Sequence, residues 1–119
     1  MHLIWVFIGG GIGAALRWFV GELIQPSTDF PWASLSVNLL GCLFIGVVSV
    51  FVLDHPTWSL FLITGILGGF TTFSSFGLDA FKLLQLAEYK KGIAYIACSN
   101  IFGILLVIIA HKITTFILK

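Results

Sequence analysis

The chain has 119 residues, of which 59% are hydrophobic and 9% charged, with a formal net charge of +1 and a mean hydropathy of +1.11. Soluble domains carry about a quarter charged residues, so an ordinary polar surface is excluded. No basic patch is dense enough for nucleic acid.

The charges fall in intervals. Residues 3–24 contain only Arg17 and Glu22, and residues 30–53, 55–78 and 92–111 contain no Asp, Glu, Lys or Arg. About 20 apolar residues span a bilayer core as a helix. Four transmembrane helices are therefore expected, at about 3–24, 32–53, 57–80 and 92–116, in a single domain over 1–119. The N-terminal run does not read as a cleavable signal peptide. It lacks a charged leading region, and its glycines lie inside the apolar stretch. Gln25 to Pro31 reads as a loop, and Asp54-His55-Pro56 ends the second helix. Lysine and arginine are nearly balanced between the two ends: Arg17, Lys82, Lys90 and Lys91 against Lys112 and Lys119. Such a chain inserts either way round, or pairs with an oppositely biased partner.

Within the first helix, Gly9-Gly10-Gly11-Ile12-Gly13-Ala14 imitates a dinucleotide-binding fingerprint, with Asp29 standing 20 residues after Gly9. The context defeats it, because no alternating strand–helix pattern follows. Gly9, Gly13, Arg17 and Gly21 lie four apart instead, on one face, and small residues so spaced let a second helix approach closely. Arg17 shares that face. It points to protein or a watery mouth, or else snorkels to fix orientation. In the second helix Asn38 stands inside an uncharged run, with Gly41, Cys42, Ile45 and Ser49 continuing its face. Its amide either bonds a neighbouring helix or turns its two N–H donors to a permeating anion.

The third helix contains Gly68-Gly69-Phe70-Thr71-Thr72-Phe73-Ser74-Ser75-Phe76. Backbone that leaves the helical path at membrane depth must be buried in protein or line a cavity, because lipid satisfies no N–H or C=O. A break near Gly68–Thr72 would free carbonyls that suit a hard cation such as Na⁺. Phe70, Phe73 and Phe76 recur at spacing three. Such stripes usually pack, yet a ring edge carries partial positive charge that an anion can face. Thr71, Thr72, Ser74 and Ser75 add hydroxyl donors. In the fourth helix Tyr95, Ser99 and Gly103 repeat at spacing four, suiting either interhelical hydrogen bonds or a polar track. Cys42 and Cys98 read as small buried hydrophobes.

Three of these pieces together resemble the Fluc/CrcB family of fluoride channels: Gly10-Gly11-Ile12-Gly13-Ala14-Ala15-Leu16-Arg17-Trp18, Asn38-Leu39-Leu40-Gly41-Cys42-Leu43-Phe44-Ile45-Gly46, and residues 65–76 from Gly65 to Phe76. With the four-helix hydropathy, the likeness covers nearly the whole chain. The resemblance implies an all-α membrane protein, a multi-pass protein of the cell membrane whose third helix breaks mid-membrane, assembled as an antiparallel dual-topology dimer. It implies passive fluoride export and a structural, activating Na⁺ at the dimer interface, held by carbonyls that fall here on Gly68 and Thr71. Phe73 and Phe76 would line the pore, Asn38 would face fluoride, and Tyr95, Ser99 and Ser75 would supply hydroxyls. Arg17 would stand at the vestibule, with Gly9 and Gly13 packing beside it. The partner would be an identical chain or a paralogue. Gly103 and Trp18 depart from the family's usual hydroxyl and Tyr.

Two other classes share the length and hydropathy. A small proton-coupled multidrug transporter needs a membrane-embedded carboxylate in its first helix, and Glu22 lies at that helix's end. A non-conducting scaffold subunit would need only the packing roles. An enzyme finds no support: His2, His55 and His111 are dispersed near segment ends.

Overall fold

A computed structural model describes residues 2–24 and 30–119. The loop expected at Gln25 to Pro31 falls, over residues 25–29, outside the described residues. Every element among the described residues is helical: α1 (His2–Leu23), α2 (Trp32–Val52), a composite α3, then α4 (Phe73–Gln85) and α5 (Tyr89–Ile117). The composite α3 joins Pro56–Ser59, a π-helical Leu60–Leu67 and Gly68–Phe70 into one rod. Taken with α4, it makes the third of four crossings long and apolar enough to span a membrane. The longest dimension, 46 Å, matches a bilayer of about 40–45 Å with its headgroup regions.

Neighbouring crossings run antiparallel, so α1 lies parallel to α3, and α2 parallel to α5. A Cβ on Gly9 would sit 2.5 Å from the carbonyl oxygen of Phe61, and one on Gly13 would overlap that of Ile66. Across the pair, a Cβ on Gly69 would meet the carbonyl oxygen of Gly10 at 2.5 Å. This seam is main chain against main chain, and glycine is what allows it. The stripe does not continue as the spacing predicts, since Gly21 has nothing within 4 Å. On the other side Gly46 lies under Val107 and Ala110, closing α2 on α5.

At one end Leu35, Ala80, Leu83 and Tyr95 form a buried cluster flanked by Phe30, Leu39, Phe76 and Cys98. Elsewhere large apolar side chains face outward, among them Leu3, Phe7, Phe116 and Ile117. Patches of that extent belong against lipid or another chain.

Two boundaries move. The third crossing runs past the expected residue 80 to Gln85, and α5 starts at Tyr89 instead of 92. Lys82 sits in the last turn of α4, where a cation complements the carbonyl end of the helix dipole. The stop is a Schellman cap: Glu88 N–H donates to Leu83 O at 2.9 Å and Ala87 N–H to Leu84 O at 3.1 Å. The charged stretch thus forms the ends of two helices and a tight turn.

Candidate functional site

The helix break lies at Thr71 and Thr72, later than the glycines suggest. Gly68–Phe70 is still helical, while Thr71 (φ −86°, ψ 159°) and Thr72 (φ −151°, ψ 127°) are extended. Thr72 then caps α4, its side-chain oxygen accepting from Ser75 N–H at 3.2 Å. A Thr at the N-cap satisfies one of the orphan donors of a helix start. Thr71 folds back, its hydroxyl and its N–H both donating to Leu67 O, at 2.9 and 3.0 Å.

The half-buried peptide of Thr72 is clamped by one side chain. Asn38 donates from Nδ2 to Thr72 O at 3.2 Å and accepts from Thr72 N–H at Oδ1 at 3.0 Å. One amide thereby replaces both main-chain partners that the break removes. One of its two N–H donors is spent on Thr72, which leaves the other for any ligand. Arg17 serves the same junction from α1, its Nε donating to Gly69 O at 3.1 Å. It is tied to protein rather than snorkelling freely.

The carbonyls of Gly68 and Thr71 lose their usual helical donors. Thr72 N–H, which would serve Gly68, goes to Asn38, and Ser75 N–H, which would serve Thr71, goes to the Thr72 hydroxyl. Both residues line a groove of about 320 Å³ together with Asn38, Phe73, Phe76 and Ser99. Phe73 stands 83% exposed, and its ring centroid lies 5.6 Å from that of Phe76. The hydroxyl of Ser99 is buried with no hydrogen-bond partner among the described residues. An orphaned buried hydroxyl is a donor held ready for something the protein does not itself supply.

A second groove, of about 340 Å³, lies on the other side of the junction and is lined by Arg17, Glu22, Ser34, Thr72 and Ser75 among others. Thr72 lines both grooves. The Asn38–Thr72 clamp is therefore the wall between them.

Tyr95 lines neither groove. It is fully buried, packed against Phe76 at 5.1 Å and edge-on to Phe30 at 5.7 Å, and its hydroxyl donates to Asp79 Oδ2 at 3.4 Å. Gly103 faces Cys42, whose Sγ would lie 3.3 Å from an added Cβ, so it is a packing position. Gly9 and Gly13 belong to the seam, away from both grooves. Sequence reasoning missed two roles. Thr72-x-x-Ser75 is the spacing of an N-cap, and Asp79 follows Phe76 by three residues, which puts it on the side of α4 that meets Tyr95.

A membrane-spanning bundle with a broken crossing, clamped backbone and unpaired donors facing a groove has the architecture of a channel or carrier. Residues 4–111 match the family described as CrcB-like protein, Camphor Resistance (CrcB). The chain belongs to that family. It is 44% identical over 107 residues to the "Fluoride-specific ion channel FluC" of Helicobacter pylori (strain P12), covering 84% of this chain and 82% of that relative. The protein of the same name from Helicobacter acinonychis (strain Sheeba) is 44% identical over 109 residues, 86% of each chain. That from Rhizobium meliloti (strain 1021) is 42% identical over 104 residues, covering 82% of this chain and 83% of the relative. The protein is a multi-pass integral membrane protein of the cell membrane, in a family of channels and not of enzymes.

Proposed function

We propose that this protein is a fluoride-selective channel that lets F⁻ leave the cell passively and so lowers cytoplasmic fluoride. The observation that carries this reading is the groove beside the break. There a spare Asn38 N–H, the unpaired Ser99 hydroxyl and the rings of Phe73 and Phe76 converge without a charged side chain. Fluoride is small and strongly hydrated. Its water must be replaced by several weak donors and ring edges, none strong enough to trap it. Tyr95 acts from behind, holding Phe76 and tied to Asp79, while Arg17 and Ser75 line the groove through which an anion would approach. The guanidinium there raises local anion concentration.

The reading extends to assembly and cation. Two copies, antiparallel and of opposite topology, would cover the open groove and the outward apolar faces, the partner being a second identical chain or a paralogue. The Gly68 and Thr71 carbonyls, deprived of helical donors and lining the same groove, fit a hard cation. Main-chain oxygens from two copies would hold a Na⁺ that neutralises the carbonyl charge and locks the interface.

Fluoride efflux from liposomes holding the purified protein tests this. Flux without a pH gradient is expected, and Phe73→Ile or Phe76→Ile should cut it while the oligomer persists. Full flux in both variants would remove the ring edges from the mechanism. Undiminished flux with Na⁺ replaced by a larger cation would remove the carbonyl site. Proton-dependent export of an organic cation would overturn the assignment itself.

A further inference from the structure

At the end of the molecule away from the buried core, α5 carries a second polar feature that fluoride conduction does not use. Lys112 on the last turns of α5 and Lys119, two residues past its end, line a groove of about 320 Å³ together with His111, Thr115 and Phe116. One lining residue, His111, is tied to the neighbouring helix. Ser49 of α2 hydrogen-bonds Gly46 O at 2.9 Å, and its hydroxyl oxygen lies 2.8 Å from His111 Nδ1. That bond pins α2 to α5 where the groove begins, and Thr115 adds a bond from its hydroxyl to His111 O at 2.9 Å.

Among the described residues neither lysine stands in an ion pair. Among the described residues the one ion pair is Lys91 with Glu88, at the opposite end. Of the described acids, Glu22, Asp79 and Glu88 all belong to the segments at that other end, leaving Asp54 on this one. The groove therefore presents two exposed ammoniums at the end of a membrane span. Directly along the same face, Leu105, Ile109 and Phe116 are exposed and apolar, with Ile108 and Ile113 beside them. A ligand matching both halves carries an anionic phosphate and a hydrocarbon chain.

We propose that this groove is a docking site for the phosphate headgroup of an anionic membrane phospholipid, with its acyl chain laid along the Leu105–Ile109–Phe116 stripe. Basic clusters at the membrane surface bind acidic headgroups, each lysine contributing roughly fivefold to binding. The apolar stripe selects the lipid over soluble phosphates of the same headgroup chemistry. The site depends on neither the break nor the grooves around Asn38.

The test uses the purified full chain in neutral detergent, titrated with short-chain phosphatidylglycerol, short-chain phosphatidylcholine or glycerol phosphate. Binding is read as lipid adducts by native mass spectrometry and as a rise in melting midpoint. Phosphatidylglycerol should bind and stabilise, the other two should not, and K112Q/K119Q should bind it roughly 25-fold more weakly. K112R/K119R, which keeps both charges, should retain it. Should the double variant fail to fold, K119Q alone, at an exposed position, carries about a fivefold loss. Equal binding of phosphatidylcholine, equal binding of glycerol phosphate, or unchanged affinity in K112Q/K119Q would each overturn the proposal.

Discussion

The two halves of the third crossing are held by opposite means. Before the break, α3 rests on α1 through glycines, carbonyl against Cα, with no polar side chain in the Gly9 and Gly13 contacts. After it, α4 is held by side chains: the Asn38 amide on Thr72, the Tyr95 hydroxyl on Asp79, and Leu83, which is 1% exposed, inserted into the core. A backbone seam has no rotamers and does not yield. A side-chain contact can re-form at modest cost. The rigid half thus positions the break, and the adjustable half carries the residues that face an ion.

The seam predicts the largest effect. Gly13→Ala puts a methyl into the carbonyl of Ile66, with Phe70 N at 2.8 Å and no side chain to swing away. Overpacking that cannot relax costs about 3 kcal/mol or more, so folded protein should be lost in detergent melting. Gly11→Ala, with nothing within 4 Å, should be tolerated. Equal damage from both would show that the seam is not what distinguishes Gly13.

Asn38→Ala comes next. It leaves the half-buried Thr72 N–H and C=O without partners, at roughly 1 kcal/mol or less for each. Melting should fall by a few degrees and fluoride flux should be abolished, since the wall between the grooves is gone. A variant with normal flux would mean that α4 keeps its place without the clamp.

Ser99→Ala separates stability from conduction. The hydroxyl has no partner among the described residues, so its removal should leave the melting midpoint nearly unchanged. A hydrogen bond to a charged species is worth about 1.5–3 kcal/mol, so flux should drop about tenfold or more. Equal flux would take Ser99 out of the path.

How far these features were legible varies with their range. Gly9 and Gly13 could be read from spacing because a helix face is a local property. Gly21 could not, since its partner would have to be backbone beyond Phe70, where the third crossing has already turned away. Asn38 announced that it needed a partner, but Thr72 lies 34 residues on and nothing local names it. The break was visible as a cluster of glycines and hydroxyls, yet its position was set by Thr72, the better helix cap, and the glycines before it stayed helical. The π-helical Leu60–Leu67 left no trace, because a one-residue shift in hydrogen bonding has no residue-type marker. The spacing of Tyr95 suits either an interhelical hydrogen bond or a polar track, and the structure has the hydrogen bond. Its tie to Asp79 crosses the turn between α4 and α5, and that contact, not the spacing, turned the side chain inward.

That turn offers the smallest and most local test of the adjustable half. Ala87 is the one non-glycine residue among those described with a positive φ, 58°, and it holds the left-handed position of the Schellman cap. A Cβ there costs about 1–2 kcal/mol, partly offset by the greater chain entropy that glycine loses on folding. Ala87→Gly should therefore stabilise by about 0.5 kcal/mol, seen as a slight rise in melting midpoint with fluoride flux unchanged. A fall in stability would mean that α4 and α5 are joined by more than the cap. In that case the contrast with the α1–α3 seam is smaller than the hydrogen bonds imply.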